Sequence, residues 1–303
     1  MKSHSAGSPR FDWLAHGALM IVAWLYAANY FIAKGIFAYL APAGAVGIRT
    51  SIAAGLFLIT SLLSGTFKFL ESKQDWITLL FCALFGVVLN QNFFLAGLEL
   101  TTEVNASVIM TITPVLVVLI SVALRQERLN MLAVTGLGIA LIGAIVLSLN
   151  GRSLSIGTDT VLGDLLIFIN ASSYAGYLVL VQPLMRKYHV LTIMPWLLLA
   201  AVFANLPFGF SDIMTANWTD MPGRIQWSLA YLVIGVTFLV YGLNAFGLSR
   251  ISASQVGIYI YLQPVIVSLL AAFLPNKHIT WIQVGCMLLV CIGVGMVVYR
   301  KKR

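Results

Sequence analysis

The chain has 303 residues, of which 60% are hydrophobic and 9% are charged, and its mean hydropathy is +0.95. Too few polar residues remain to cover a water-soluble domain, so the composition excludes an ordinary soluble globule and predicts a polytopic membrane protein. The formal net charge of +8 comes from basic residues that are spread over short loops and the C-terminal tail. We therefore expect the lipid bilayer, and no nucleic acid, as a partner.

Motifs for metal, nucleotide and catalytic chemistry are missing from this sequence. The three cysteines, Cys82, Cys286 and Cys291, fall inside apolar segments and the four histidines are scattered, so we expect no disulfide framework, metal site or cofactor. The sequence has no GxxxxGK[ST] loop, which argues against ATP hydrolysis. A membrane-embedded enzyme would need paired carboxylates, a histidine cluster or a nucleophile with a base, and the apolar segments contain none. An enzyme is therefore the disfavoured alternative.

Apolar segments of the length that crosses a bilayer, about 20 residues, occur ten times. The first is too long for a removable signal and is expected to stay as helix one. The fold predicted is an all-α polytopic membrane protein with ten transmembrane helices. The predicted segments are 13–34, 43–64, 75–98, 102–124, 129–149, 161–184, 190–210, 226–248, 252–274 and 280–299.

The basic residues indicate how the chain is oriented. Thirteen of the 18 Lys and Arg residues fall on the side of the two termini and four on the other side, while Arg49 lies within the second helix. Because cytoplasmic loops carry the excess of Lys and Arg, both termini are expected to be cytoplasmic.

An internal duplication links two proline-containing segments. The segment 97–124 aligns without a gap with 247–274, and Pro114 then coincides with Pro264. Seven of the 28 aligned positions are identical, which indicates a repeat. Five helices precede the loop between the two halves, so the repeats enter the membrane from opposite sides, as in secondary transporters. The predicted units are a tail at 1–12, a repeat at 13–150, a connecting loop at 151–160, a repeat at 161–299 and a basic tail at 300–303.

Short motifs along the chain have a common pattern with one transporter family. They are the run Tyr26-x-x-Asn29-Tyr30 ending in Lys34, Arg49, the stretch from Ala106 to Pro114, Glu127, and the run GLGIALIG at 136–143. Their order and spacing resemble the EamA-type family of the drug/metabolite transporter superfamily. The resemblance covers almost the whole chain and implies ten helices in two repeats and export of small metabolites, amino acids or drugs across a bacterial inner membrane.

Two departures from that family pattern occur in the second half. Lys277 stands thirteen residues after Pro264, where the pattern has an acidic residue like Glu127. Gln182 stands where a basic residue would match Lys34. These differences argue against assigning equal roles to the two halves.

Candidate site residues lie in both repeats. Pro114 and Pro264 remove a backbone donor, so each should break its helix, either in a gating role or as a packing kink. Around them, polar side chains form a stripe that faces either the transport pathway or neighbouring helices. The members of this stripe are Asn105, Thr113, Gln255, Tyr259 and Gln263.

Aromatic residues form a second candidate patch. Tyr26, Asn29 and Tyr30 share one face of helix one, and Tyr174 with Tyr177 forms the matching patch on helix six at an offset of 148 residues. These rings could enclose an apolar or aromatic metabolite and present hydroxyls to its polar end. The alternative is an interfacial aromatic belt, which the central positions of Tyr26 and Tyr174 disfavour.

Arg49 is the deepest cation in the predicted spans. It lies seven residues past Pro42, or about 10 Å along the helix, so it is either a substrate counterion, an internally paired residue or a side chain that reaches back to the surface. All ten acidic residues fall in loops or at helix ends. We therefore expect facilitated efflux or exchange, with Glu103 or Asp164 as the remaining candidates for proton coupling.

The alternatives within the transporter class concern direction and assembly. Import or exchange of a sugar or nucleotide conjugate is the second hypothesis, disfavoured because such anions would require more than one deep cation. Gly136, Ala140 and Ala144 give helix five a small-residue face, which we expect to pack within one chain. Monomer and homodimer remain undecided.

Overall fold

The computed structural model describes residues 12–32, 35–128, 130–149, 160–273 and 279–299, without the side chains of Tyr30, Phe37, Glu103 and Val104. The described residues form helices and connecting turns, with no strand among them. Lys34, Lys277, residues 1–11 of the predicted N-terminal tail and the basic tail at 300–303 lie outside this part of the chain.

The ten predicted helices are confirmed. Nine of the described helices are long and apolar enough to cross a membrane, and the first is apolar over Trp13–Asn29. Several helices continue past their apolar run into polar residues, so predicted ends differ by up to five residues. Their bounds are α1 Trp13–Ile32, α2 Pro42–Leu63, α3 Lys73–Leu100, α4 Glu103–Met110 and Thr113–Ala123, α5 Met131–Leu149, α6 Val161–Lys187, α7 Val190–Thr215, α8 Gly223–Arg250, α9 Ala253–Ala271 and α10 Trp281–Val298.

The two prolines interrupt their helices, as expected. Helix α4 is broken between Met110 and Thr113, directly before Pro114, which is buried at the start of the second piece. Helix α9 narrows to a 3₁₀ turn at Ile258–Tyr261 before Pro264. Proline removes a backbone hydrogen bond and crowds the preceding turn, which accounts for both interruptions.

Helices α3 and α8 contain a feature that hydrophobic periodicity does not predict. Each widens in its middle to a π-helical segment, Leu84–Leu89 in α3 and Leu232–Leu239 in α8. Such segments are rare and occur frequently at functional sites. Because α3 and α8 are equivalent in the two repeats, the π segments are themselves a repeated feature.

Contacts between helices follow the symmetry of an inverted repeat. Extensive contacts join α2 to α7 and α5 to α10, and each of these is a pair of equivalent helices. A Cβ placed on Gly97 would lie 2.9 Å from the side chain of Ile167 in α6, and one on Gly247 would lie 3.1 Å from that of Leu19 in α1. Gly97 and Gly247 are 150 residues apart, and Leu19 and Ile167 are 148 apart. The same packing therefore occurs twice with the roles of the halves exchanged.

The small-residue face of α5 packs within the chain, against α10. A Cβ placed on Gly136 would lie 2.7 Å from Cβ of Met296 and 2.8 Å from the carbonyl oxygen of Gly293. Ala140 and Ala144 are fully buried on the same face. Small side chains let two helix backbones approach closely, and here that approach joins equivalent helices of the two repeats.

Polar contacts close the end of the bundle at which the described chain begins and finishes, called here the terminal end. Arg250 at the end of α8 donates to Asp12 over 3.1 Å. Next to this pair, Nδ1 of His16 in α1 is hydrogen-bonded to the Tyr259 hydroxyl of α9 over 2.8 Å. These contacts tie α1 to α8 and α9.

A carboxylate closes the opposite end, called here the distal end. Asp164 in the first turn of α6 accepts hydrogen bonds from the Thr101 hydroxyl and from Nδ2 of Asn105. Thr101 and Asn105 flank the start of α4. Asp164 and His16 are 148 residues apart, the offset that relates α6 to α1, so equivalent positions hold the two ends together.

Candidate functional site

Four tyrosines gather where the middles of α1, α6 and α8 meet. Tyr26 lies thirteen residues into α1, or about 20 Å from its start. The rings of Tyr174 and Tyr177 stack with centroids 6.0 Å apart, and the Tyr241 ring of α8 lies 6.3 Å from that of Tyr177. The Tyr26 hydroxyl interacts with the hydroxyls of Tyr174 and Tyr241. We refer to these four residues as the tyrosine cluster.

The π segment of α3 forms one wall of this cluster. The Tyr177 ring lies directly on Gly86, where any Cβ would collide with it. The Tyr241 hydroxyl donates to the Gly86 carbonyl over 2.9 Å. Glycine thus allows an aromatic ring to approach the α3 backbone, and the carbonyl anchors a second tyrosine.

Arg49 brings a positive charge to the cluster from α2. Its Nε donates to Oε1 of Gln91 over 3.1 Å, and Nε2 of Gln91 donates to the Tyr241 hydroxyl over 3.2 Å. The guanidinium also interacts electrostatically with the hydroxyls of Tyr26 and Tyr241. The arginine therefore points into the tyrosine cluster, and its side chain is half-buried.

A narrow cavity lies beside the cluster between α1, α6, α8 and α9. It has room for about one water molecule, so an organic substrate would enter only if these helices moved apart. Asn244 in its wall donates to the Tyr174 hydroxyl over 3.4 Å. The polar side chains that line it are Tyr26, Tyr174, Asn244, Tyr259 and Gln263, and the apolar ones are Val22, Ala23, Leu178, Val256 and Ile260.

Two polar atoms of the predicted site residues are buried with no hydrogen-bond partner among the described residues. They are the Tyr177 hydroxyl and Oδ1 of Asn29. A buried polar atom without a partner costs about 1 to 3 kcal/mol. A ligand that hydrogen-bonds to these atoms would remove that cost. The side chain of Tyr30, the third member of the predicted patch on α1, is not described.

The structure separates other predicted residues from this centre. Asn105 binds Asp164 at the distal end, and Gln255 caps the start of α9 and donates to the Val298 carbonyl at the terminal end. The Thr113 hydroxyl donates to the Met110 carbonyl, three residues earlier in α4, over 2.8 Å. Asn105 lies eight residues from Thr113, and Gln255 lies eight residues from Gln263, a separation of about 12 Å along a helix. The predicted polar stripe therefore extends from the centre of the bundle to its ends.

Two residues of the centre were not predicted from the sequence. Gln91 and Tyr241 belong to α3 and α8, in which the sequence predicted no site residue, whereas the 28-residue internal alignment is centred on α4 and α9. The 150-residue offset found there also relates Gln91 to Tyr241. That offset is the sequence signal from which these two residues could have been predicted.

The centre lies on the axis that relates the two repeats. A residue can contact its own equivalent only close to a twofold axis, and two pairs do so here. Gln91 hydrogen-bonds to Tyr241, and the Tyr26 hydroxyl interacts with that of Tyr174. The tyrosine cluster and Arg49 are therefore placed at the pseudo-twofold axis.

Ten membrane helices in two inverted repeats, with polar side chains at the midpoint of the axis, are the architecture of a secondary transporter. The chain belongs to the EamA-like transporter family, whose sequence model matches residues 13–149 and 161–299. It is thus a multi-pass membrane protein of a transporter family.

Similar proteins agree with this assignment. The chain is 24% identical over 276 residues to the uncharacterized transporter YyaM of Bacillus subtilis, covering 88% of each chain. It is 26% identical over 228 residues to the uncharacterized inner membrane transporter YicL of Salmonella typhimurium, covering 73% of each. A solved crystal structure superposes with a TM-score of 0.78 over 93% of this chain and 98% of the other, at 18% identity, and shows the same fold.

Proposed function

We propose that this protein is a secondary transporter that exports a small organic metabolite across a bacterial inner membrane by alternating access. The observation that carries the proposal is the position of the tyrosine cluster and Arg49 on the pseudo-twofold axis. A site on that axis is equally close to both ends of the bundle, as alternating exposure requires.

The contacts at the two ends suggest how access would alternate. The pair His16 and Tyr259 closes the terminal end, and Asp164 with Thr101 and Asn105 closes the distal end. Opening one end while the other stays closed would expose the central cavity to one side. The breaks at Pro114 and Pro264 supply positions where α4 and α9 can bend.

The finer parts of this proposal are direction, substrate and topology. Both termini would be cytoplasmic, on the charge distribution given above. The substrate would contact Tyr26, Tyr174, Tyr177 and Arg49, together with Gln91 and Tyr241. No coupling ion is part of the proposal, because every acidic side chain that the structure describes lies in a loop or within a turn of a helix end.

Distance measurements at both ends of the bundle test the alternation. Spin labels on Glu99 and Val161 report on the distal end, and labels on Trp13 and Ser249 report on the terminal end. In lipid nanodiscs, we expect the distance at the distal end to be longer in those molecules in which the distance at the terminal end is shorter. Two distances that lengthen together, or that stay fixed while substrate is exchanged, would contradict alternating access.

Exchange in proteoliposomes tests transport itself. Compounds from a panel of small metabolites that raise the unfolding temperature are loaded inside, and entry of the labelled compound is followed. We expect counterflow that is lost in Tyr177→Phe and kept in Tyr39→Phe, whose ring is exposed outside the cluster. Equal loss in both variants would remove the tyrosine cluster from the transport site.

A further inference from the structure

Arg49 is the one charged side chain at the centre of the bundle among those that the structure describes. The other described charged groups occupy loops or the first and last turns of helices. Removing a charge from water is costly, and a charged group inside a membrane bundle is generally paired or functional. The partner of Arg49 therefore bears directly on what the site binds.

No carboxylate neutralises this arginine within the described residues. The ion pairs found there join Lys187 to Glu71 and Asp75, and Arg250 to Asp12, all close to one end of the bundle. Arg49 instead donates one hydrogen bond to the neutral side chain of Gln91. Its remaining electrostatic neighbours are the hydroxyls of Tyr26 and Tyr241, which are also neutral.

The groups around Arg49 are suited to an anion. A guanidinium has five N–H donors in a planar fork that matches a carboxylate, and only the Nε donor is used by Gln91. Tyr177 adds a buried hydroxyl that has no described partner and can donate to a ligand. The centre thus contains unused hydrogen-bond donors on a guanidinium and on a tyrosine hydroxyl.

The surroundings of these donors indicate the body of the ligand. The stacked rings of Tyr174 and Tyr177 and the tilted ring of Tyr241 present aromatic faces and edges. The adjoining cavity wall is apolar at Val22, Leu178 and other positions. Such a wall favours a flat or apolar group attached to the charged one.

We propose that the central site binds an organic monocarboxylate with an apolar or aromatic body, whose carboxylate is the counterion of Arg49. This inference rests on the proposed function and narrows its substrate to one chemical class. A single carboxylate balances the single guanidinium, whereas a dianion would leave one charge without a counterion. The ammonium group of a zwitterionic amino acid would find no described carboxylate at the centre.

A matched series of ligands tests this assignment. Phenyl, cyclohexyl and n-pentyl bodies are each prepared with a carboxylate, a carboxamide, an ammonium, a phosphate or an α-amino acid group. The half-saturating concentration is measured from the rise in unfolding temperature of the purified protein in detergent. We expect at least one body to bind as its carboxylate about tenfold to hundredfold more tightly than as its carboxamide.

Three variants assign that preference to Arg49. Arg49→Gln should bring the carboxylate and carboxamide to equal affinity, while Arg49→Lys should keep part of the preference because it keeps the charge. Arg224→Gln removes an exposed cation at the start of α8 and should leave the preference unchanged. If Arg49→Gln does not fold, Arg49→Lys and the ligand series on the unaltered protein decide the question.

Several results would overturn the inference. They are carboxylates that bind no better than their carboxamides, tighter binding of the ammonium, phosphate or amino acid compounds, and a carboxylate preference that survives in Arg49→Gln. Counterflow of a cation or zwitterion through the tyrosine cluster would reject the monocarboxylate while leaving the proposed transport function intact. Absence of counterflow for every ligand that binds would instead reject the transport function.

Discussion

Gln91 and Tyr241 occupy equivalent positions in the two repeats, 150 residues apart, and hydrogen-bond to one another over 3.2 Å. The same two side chains connect Arg49 to the Gly86 carbonyl in the π segment of α3. The axis of the duplicated fold is therefore marked by a polar network of α2, α3 and α8.

The first prediction concerns this network. Tyr241→Phe removes the hydroxyl that accepts from Gln91 and donates to Gly86, so each of these two buried groups loses a hydrogen bond. We expect stability to fall by about 1 to 3 kcal/mol, measured as a lower unfolding temperature in detergent. The exposed Tyr39→Phe serves as the control. An unchanged unfolding temperature in Tyr241→Phe would mean that the network contributes nothing to the folded state.

The second prediction concerns the contact between Tyr177 and α3. Gly86→Ala places a methyl group where the Tyr177 ring now lies, so the ring must move and counterflow should be strongly reduced. Gly55→Ala is the matched control, since nothing lies within 4 Å of a Cβ at that helical position. There we expect normal counterflow and stability raised by up to about 1 kcal/mol. Normal transport by Gly86→Ala would show that the Tyr177 position is not critical.

The third prediction concerns the broken helices. Pro114→Ala and Pro264→Ala each restore a backbone N–H and permit a continuous helix, which should slow the opening of the bundle. We expect the maximal rate of counterflow to fall by about threefold or more while the half-saturating concentration stays nearly unchanged. This is the result expected when a conformational step limits turnover. Pro207→Ala in the regular helix α7 is the control. A change confined to affinity would assign these prolines to substrate binding instead.

The fourth prediction concerns the two ends of the bundle. Tyr259→Phe removes the hydrogen bond to His16 at the terminal end, and Asp164→Leu removes the acceptor for Thr101 and Asn105 at the distal end. Each variant should increase opening at its own end, which the two spin-label distances report separately. Identical distance changes in both variants would show that these contacts do not act as separate closures.

The fifth prediction concerns pH and the contact between Asp12 and Arg250. Burial acts to raise the pKa of the Asp12 carboxyl, but the hydrogen bond from the Ala15 N–H and the Arg250 guanidinium outweigh it and hold that pKa below its ordinary value of 3.8. A carboxyl with a lowered pKa stabilises the fold above its ordinary pKa, and this stabilisation is lost as pH falls below 3.8.

Asp12→Asn should therefore lower the unfolding temperature at neutral pH, and its difference from the unaltered protein should shrink in acid as pH drops through this range. The exposed Glu99→Gln is the control. A difference that grows in acid would have the wrong sign and would contradict the lowered pKa.

The sequence was sufficient for the architecture but only partly for the site. Long apolar runs, the excess of basic residues on one side and the coincidence of Pro114 with Pro264 predict ten helices in two inverted repeats. The central positions of Tyr26 and Tyr174 also follow from their depth in the predicted spans. These features depend on local composition and on spacing along single helices, which a sequence displays directly.

Other parts of the site depend on contacts between helices. The π segments of α3 and α8 cannot be predicted from hydrophobic periodicity, because a widened helical turn contains the same types of apolar residue as a regular one. The sequence left open whether Asn105 and Gln255 face the transport pathway or neighbouring helices, and the structure places each of them at an end of the bundle, where it binds a neighbouring helix. Gln91 is assigned to the site because of its contact with Tyr241, which places it on the axis and which the sequence does not display.

The unlike residues at equivalent positions of the two repeats have an energetic consequence. Two identical repeats would give two conformations related by the twofold axis and equal in free energy, with neither preferred at rest. Gln91 facing Tyr241, and His16 standing where the other half has Asp164, remove that degeneracy. On the proposed mechanism, we therefore expect an intrinsic resting state that favours one side of the membrane, and this bias would exist before any substrate gradient acts on it.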